Sequence, residues 1–134
     1  MHYWWVLAAF WLQTNFSVYT NQEFYELSMD EDGNDYIQLV CDEPQSILHF
    51  SENLYGEFVF SFQEKLFLVL DIKDGAQPNE FLITYQNTTT QQVEVAIFFY
   101  DKIVQMLFFT FQEKEYAFVF TERLSEFETQ NTCN

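Results

Sequence analysis

The segment Glu80–Phe111, EFLITYQNTTTQQVEVAIFFYDKIVQMLFFTF, decides the fold class. It holds three runs rich in Val, Ile, Phe and Tyr, at Glu80–Tyr85, Gln92–Phe99 and Ile103–Phe111, and these residue types favour β-strands. Polar turns of a few residues, such as Tyr100-Asp101-Lys102, separate the runs. Because connections this short join antiparallel neighbours, the segment predicts a meander of hairpins.

The same pattern continues on both sides of this segment. Further strands are predicted at Phe24–Ser28, Tyr36–Cys41, Ile47–Phe50, Glu57–Phe62, Leu66–Asp71 and Tyr116–Thr121. No stretch between Glu23 and Thr121 shows the period of an amphipathic helix. The chain is therefore predicted to be all-β, an antiparallel meander that closes most naturally as an up-and-down β-barrel. A β-sandwich with Greek-key connections is less favoured because it needs a long crossover, and none is visible.

Two features qualify this fold. The predicted strands Leu66–Asp71 and Ile103–Phe111 are largely apolar on both faces, and such strands must be covered twice. A barrel with an apolar lumen and an outside helix covers them, as does a sandwich with a dimer interface; a tightly packed core that leaves some Phe exposed is the third arrangement.

The segment Glu122–Gln130, with Leu124 and Phe127 three residues apart, is predicted to be a short helix outside the barrel.

A short sequence occurs twice. Phe60-Ser61-Phe62-Gln63-Glu64-Lys65 is echoed by Phe109-Thr110-Phe111-Gln112-Glu113-Lys114. Both copies join two apolar runs through a Gln-Glu-Lys turn. Two copies indicate the same hairpin used twice rather than a repeat architecture.

The N-terminus resembles a secretory signal. Met1–Leu12 reads MHYWWVLAAFWL and has no acid, Lys or Arg, and a polar break follows it. Residues 1–20 are therefore predicted to be a signal peptide, cleaved after Thr20 or Ser17, which leaves residues 21–134 as a single β-domain. The alternative is that Met1–Leu12 forms a buried first strand or helix. The first prediction implies a secreted, extracellular protein.

Two further features agree with export. Asn87-Thr88-Thr89 is an acceptor sequence for N-glycosylation and lies in a polar turn, so Asn87 is the predicted glycosylation site. Cys41 and Cys133 are the two cysteines. In an oxidising compartment they are expected to form a disulfide that ties the C-terminal tail to the body. The alternative is two unrelated thiols.

The charge limits the partners. The chain of 134 residues carries 21 Asp and Glu against 5 Lys and Arg, a formal charge of −16. Such a charge repels a nucleic-acid backbone, so DNA and RNA binding are excluded. No apolar stretch is long enough to span a bilayer. The acidic balance instead favours amines or a basic protein as partner, with the chain itself a monomer or homodimer.

The sequence has no catalytic or metal-binding signature. No nucleophile motif, phosphate loop or zinc motif is present, so an enzyme, a metal site and a cofactor are not expected. The acidic run from Asp30 to Asp35 resembles a calcium loop, but Asp35 and Cys41 stand where an EF-hand requires Gly and Glu. A solvated acidic turn is the simpler interpretation.

Two stretches resemble the lipocalin family. Phe98-Phe99-Tyr100-Asp101-Lys102-Ile103 is similar to the family's Thr-Asp-Tyr motif region, and Tyr116–Arg123 is similar to its last strand with the arginine that follows. Phe24–Leu27, Gly33–Tyr36 and the placement of Cys41 and Cys133 more loosely resemble histamine-binding lipocalins of tick saliva, which join an early strand to the C-terminus by a disulfide. The Gly-x-Trp signature is absent. The resemblance implies a secreted carrier with a ligand in its lumen.

The favoured function is a secreted, non-enzymatic protein that sequesters a small hydrophobic or cationic ligand in the barrel. Aromatic walls with one carboxylate suit an organic cation, through charge pairing and cation–π contact. The predicted ligand-binding residues are Phe60, Phe62, Tyr85, Glu94 and Phe109. The alternative is a secreted acidic β-sandwich that binds a host or immune protein.

Overall fold

The computed structural model describes residues 14–132. It contains two 3-10 helices, Thr14–Tyr19 and Thr121–Glu126. The strands are β1 (Glu23–Met29), β2 (Asp35–Val40), β3 (Glu43–Pro44), β4 (Ile47–Glu52), β5 (Phe58–Phe62), β6 (Lys65–Asp74), β7 (Glu80–Asn87), β8 (Val93–Asp101), β9 (Met106–Phe111), β10 (Lys114–Phe120) and β11 (Glu128–Asn131). Neither helix is long and apolar enough to cross a bilayer.

Eight of these strands form a closed barrel. β4 to β10 pair in sequence order, β4 also pairs with β1, and β10 pairs back onto β1 with Phe24 opposite Phe120. All of these pairings are antiparallel, so the predicted up-and-down barrel is confirmed. The sandwich that accompanied the alternative function is wrong, because closure leaves one continuous sheet rather than two packed sheets.

The barrel opens along one seam. β1 pairs with β4 only over Glu23–Tyr25, and then with β2 over Leu27–Met29 on the same edge. Because β2 takes the place of β4 on that edge, β1 and β4 diverge there. We call this divergence the fork. β2 lies outside the barrel and carries β3 on its end and β11 on its far side.

Two predicted elements differ in the structure. The strand expected from Ile103 begins only at Met106, because the Asp101 carboxylate accepts the backbone N–H of Ile103 at 2.9 Å and holds residues 102–105 in a turn. The helix expected over Glu122–Gln130 is a 3-10 helix that ends at Glu126. β11 follows it and pairs with β2, the one parallel pairing among the described strands.

The inside of the barrel is filled by aromatic rings. Most of the side chains that alternate inward on the barrel strands are buried, and most of the buried ones are Phe. The first 3-10 helix closes one end of this core. The Phe16 ring lies edge-on to Phe98 at 4.9 Å and to Phe50 and Phe81 at 5.1 Å, between ring centroids. Tyr19 packs beside it.

A smaller core lies outside the barrel. Tyr25 and Leu27 point outward from β1 and pack with Ile37 of β2 and Val119 of β10. Leu124 and Phe127, the pair that suggested an outer helix, cover this cluster from the second 3-10 helix and the residue after it. The outer cover that was predicted is therefore present, but as a 3-10 helix and a strand.

Arg123 ties this outer cover to the β8–β9 turn. Its guanidinium donates to the carbonyl oxygens of Val104, at 3.0 Å, and Gln105, at 2.7 Å. It also makes a two-pronged ion pair with Glu126 and lies over the Phe127 ring. Because a planar guanidinium matches several acceptors at once, this one side chain fixes the chain after β10.

The buried rings bear on the predicted signal boundary. Residues 1–13 lie outside the described residues, whereas Phe16 and Tyr19 are 1% and 4% exposed. Both rings lie within residues 1–20, the predicted signal peptide, and its cleavage after Thr20 or Ser17 stays a prediction.

We expect Phe16→Ala to lower the free energy of unfolding by about 3–5 kcal/mol, because it leaves a cavity among packed rings. Val18→Ala is the matched control, since Val18 lies in the same 3-10 helix and is 60% exposed. It should change stability by less than about 0.5 kcal/mol. Urea unfolding of both variants measures this, and equal stabilities would show that the helix does not seal the core.

Candidate functional site

The candidate site is the barrel end opposite the first 3-10 helix, which we call the Tyr85 end. β5, β7 and β9 finish there. Four inward aromatic side chains form its last layer, and all are at most 2% exposed: Phe62, Phe67, Tyr85 and Phe111. Tyr85 and Phe111 stack with centroids 5.4 Å apart, and Phe62 meets Phe111 edge-on at 5.5 Å.

One carboxylate borders this aromatic layer. Tyr85 and Glu94 are directly opposite each other in the β7–β8 pairing, so both side chains project to the inside of the sheet. The Tyr85 hydroxyl donates to Glu94 Oε2 at 2.6 Å. Tyr85 is fully buried and Glu94 half-buried, so the carboxylate lies between the aromatic layer and solvent.

The Tyr85 hydroxyl is held neutral. Burial raises its pKa far above the ordinary tyrosine value of about 10, and the hydrogen bond to Glu94 and the charge of that carboxylate raise it further. Gln112 opposes this rise to a smaller degree. A neutral hydroxyl donates to the carboxylate without neutralising it.

No internal cation neutralises Glu94 in the described part of the chain. All the Lys and Arg side chains lie within residues 14–132, and the ion pairs found there join Lys73 to Asp71 and Arg123 to Glu126. The Glu94 charge therefore has only the Tyr85 hydroxyl as a described polar partner. An organic cation from outside would gain an unopposed carboxylate beside aromatic rings.

The two Gln-Glu turns both lie at this end. Gln63 and Glu64 join β5 to β6, and Gln112 and Glu113 join β9 to β10. All four residues have positive φ, between 50° and 68°, as a two-residue type I′ hairpin requires. Neither turn contains the Gly that relieves this conformation, so each stores backbone strain.

The strained turns place amide side chains over the aromatic layer. Gln63 Nε2 reaches the Tyr116 hydroxyl at 3.5 Å across the barrel end, and Gln112 lies next to Tyr85. Sequence reasoning missed Gln63, Gln112 and Tyr116. The repeated Phe-Gln-Glu-Lys sequence was the signal that could have found them, because it put the same amide after two inward Phe residues.

The predicted ligand-binding residues form one connected cluster. Phe60 contacts Tyr85 at 5.3 Å and Phe109 at 5.9 Å, Phe62 contacts Phe109 at 6.1 Å, and Tyr85 binds Glu94. All the rings point inward and are buried. Because they pack against one another, a ligand that lies between them must displace at least one ring.

Other predicted sites lie elsewhere. Asn87 begins the β7–β8 turn, where its side-chain oxygen accepts the N–H groups of Thr89 and Thr90, at 2.9 and 3.1 Å. Cys133 is outside the described residues. However, β11 runs along β2, and the Thr132 N–H donates to the Leu39 carbonyl at 3.1 Å, which brings the tail next to the Cys41 turn. The Cys41–Cys133 disulfide and Asn87 glycosylation stay predictions.

Within residues 14–132, no three His, Cys, Asp or Glu side chains are arranged to hold a metal ion. The acidic turn is organised by Asp30 itself, whose carboxylate accepts the N–H groups of Asp32 and Asn34 at 2.9 and 2.8 Å. This is an Asx-type turn.

Replacing Glu64 or Glu113 by Gly should stabilise the protein by up to about 1 kcal/mol each, because Gly adopts the left-handed conformation without strain. Glu115→Gly is the control: Glu115 is exposed and carries the same charge, but lies in the extended strand β10, so Gly there should destabilise. Thermal unfolding measures all three. A loss of stability in the two turn variants would contradict the assigned strain.

Tyr85→Phe should cost about 1–2 kcal/mol, because it removes a hydrogen bond to a half-buried carboxylate. Tyr116→Phe removes a hydroxyl with a longer hydrogen bond and should cost less than about 0.5 kcal/mol. The hydroxyl of an unfolded tyrosine ionises at about pH 10, whereas that of folded Tyr85 stays neutral. The stability that the Tyr85 hydroxyl contributes is therefore full below that pH and is lost progressively above it. Between pH 9 and 11 the Phe variant should therefore lose less stability than the wild type in urea unfolding; equal losses would contradict the raised pKa.

Comparison of this chain with protein-family models, with curated proteins and with solved structures gives no match.

Proposed function

We propose that this protein is a non-enzymatic binding protein that sequesters a small apolar or amine ligand at the Tyr85 end of its barrel. The observation that carries the proposal is the half-buried Glu94 carboxylate, which faces inward beside aromatic rings and has no cationic partner among the described residues. The ligand that suits it is a small, flat cation whose charge pairs with Glu94 and whose apolar part replaces ring contacts of Phe62 or Phe111.

The strained turns support the same location. Non-glycine residues in the left-handed conformation are common at functional sites, where the surrounding structure holds the strain. Here two such turns border the same end, and both carry a Gln side chain toward its aromatic layer. Amide groups at the rim suit a ligand that needs hydrogen bonds as well as charge pairing.

Membership of the lipocalin family is part of this proposal. The two stretches that resemble the family lie side by side in the structure: the Tyr100 ring meets the Phe120 ring at 5.3 Å, and Arg123 binds the carbonyl groups of Val104 and Gln105, just after the first stretch. The closed antiparallel barrel agrees with that resemblance. Export, the disulfide and glycosylation belong to the same proposal.

A second candidate is a protein that binds another protein through its outer surface. Five apolar side chains of β6 and β8 are between 37% and 57% exposed: Leu66, Leu70, Val93, Val95 and Ile97. Exposed apolar surface of this kind marks many interaction sites. This exposed surface supports the interaction function, although the fold is a barrel and not the sandwich that was predicted with that function.

Native mass spectrometry of the full chain, secreted from eukaryotic cells, separates these candidates. It reports the processed N-terminus, the disulfide, the glycan and any bound small molecule together. A monomer with a co-purified small ligand supports the carrier, whereas a ligand-free dimer or an empty monomer supports the interaction protein.

The role of Glu94 is tested by titration with 2-phenylethylammonium. Glu94→Gln should weaken binding by about tenfold or more, because it removes the charge that pairs with the amine. Glu115→Gln, which removes one exposed charge from the outside, should leave the affinity within about twofold, as rim and surface charges contribute little. Equal affinity in the wild type and Glu94→Gln would overturn the proposed site.

A further inference from the structure

The fork leaves a small cleft, most of whose lining residues are polar. It has a volume of about 110 Å³ and lies between β1, β2 and the connection into β4. Its lining residues are Glu26, Ser28, Ile37, Gln38, Pro44, Gln45 and Ser46. It shares no residue with the Tyr85 end.

The backbone fixes the two central residues of the cleft. The Glu26 N–H donates to the Ser46 carbonyl at 3.1 Å, at the point where β1 leaves β4. On its other edge Glu26 pairs with Phe118, whose ring points into the barrel, so the Glu26 side chain lies on the inward face. Both Glu26 and Ser46 line the cleft from adjacent positions.

The Glu26 carboxylate has no cationic partner within the described residues. It is half-buried and makes no ion pair with any Lys or Arg of the chain, all of which are described. Its described side-chain partner is the Ser46 hydroxyl, whose oxygen is buried. A half-buried carboxylate without a compensating charge costs folding free energy.

The ionised Glu26 carboxylate lowers the stability of the folded protein. Burial raises the pKa of Glu26, and the nearby Ser46 hydroxyl opposes this only in part. No other titratable side chain lines the cleft, so nothing there supplies a compensating positive charge. An apolar residue would fit the concave face without this penalty, which indicates that the carboxylate serves a ligand.

We propose that the fork cleft binds the ammonium group of a primary amine. An ammonium has three N–H donors, which can bind the Glu26 carboxylate and further oxygens of the lining, while the Ser46 hydroxyl holds that carboxylate from behind. Water could fill the space but could not neutralise the charge. The volume equals that of roughly three or four water molecules, enough for an aminomethyl or aminoethyl group. The amine is either a free small molecule or a Lys side chain of a partner protein.

The test is a titration of the full chain, followed by backbone amide NMR, with ethylammonium chloride as probe. The amides of Glu26 and Ser46 should shift and saturate. Glu26→Gln should weaken binding by about tenfold or more, since it keeps the shape and removes the charge. Ser46→Ala should weaken binding by a smaller factor.

Three controls keep this test specific. Glu23→Gln removes an exposed charge from the same strand and should leave the affinity unchanged. Tetramethylammonium has the charge but no N–H donor, and should not bind. Glu26→Gln should be at least as stable as the wild type at pH 7, because the ionised carboxylate opposes folding above its ordinary pKa. At pH 4 or below, where the carboxylate is protonated, the difference in the free energy of unfolding between the two proteins should vanish.

The outcomes separate this site from the Tyr85 end. Loss of ethylammonium binding in Glu26→Gln but not in Glu94→Gln supports the fork cleft, whatever the fate of the proposed carrier function. Equal binding in Glu26→Gln and the wild type, or equal binding of tetramethylammonium, overturns it. Tighter binding of a blocked lysine, Nα-acetyl-lysine methylamide, than of ethylammonium identifies a protein side chain as the source, and the reverse identifies a free amine.

Discussion

The packing of aromatic rings inside the closed sheet is the constraint on which the rest of the structure depends. Each inward ring contacts others at centroid distances of about 5–6.5 Å, mostly edge-on, which is the favoured arrangement for aromatic pairs. A small barrel must fill its interior with side chains, and here Phe does so at almost every level. Polar groups are consequently confined to the two ends, the seam and the outer surface.

This arrangement gives unusual weight to the few acids that face inward. Most of the 21 acids lie on the outside, where they raise solubility and attract positive charge from a distance. Glu94 and Glu26 differ because each is half-buried on the inward side and neither has an internal cation. Of the 5 basic residues, none pairs with either acid, and Arg123 is held at the β8–β9 turn.

Much of the barrel was predictable because its determinants are local. Alternation of Phe with smaller residues in Glu57–Phe62 and the short turns specify antiparallel neighbours, and the Gln-Glu turns mark the hairpin ends. Alternation also put Phe60 with Phe62 on one face of their strand and Phe109 with Phe111 on one face of theirs. Glu94 was predicted as a binding residue because it lies within a strand, whereas its inward orientation is given by its pairing with Tyr85. The alternation and the turns each depend on residues within a single strand or hairpin.

The parts that sequence reasoning missed depend on distant contacts. β11 has no apolar pattern of its own and forms because β2 offers it a free edge. The fork needs β1 to change partner halfway, which no run of residues within β1 records. Phe16 lies in a segment whose composition resembles a signal, and only the opening at the end of the barrel explains why it is buried.

Closure between the first and last barrel strands has a consequence for synthesis on the ribosome. Phe24 pairs with Phe120, so β1 emerges early and its β10 edge stays unpaired until nearly the whole domain has been made. Contacts this far apart in sequence are slow to form, and an apolar strand with an open edge can pair with another chain meanwhile. The many acids along the chain then have a second use, since nascent chains of like charge repel one another during that interval.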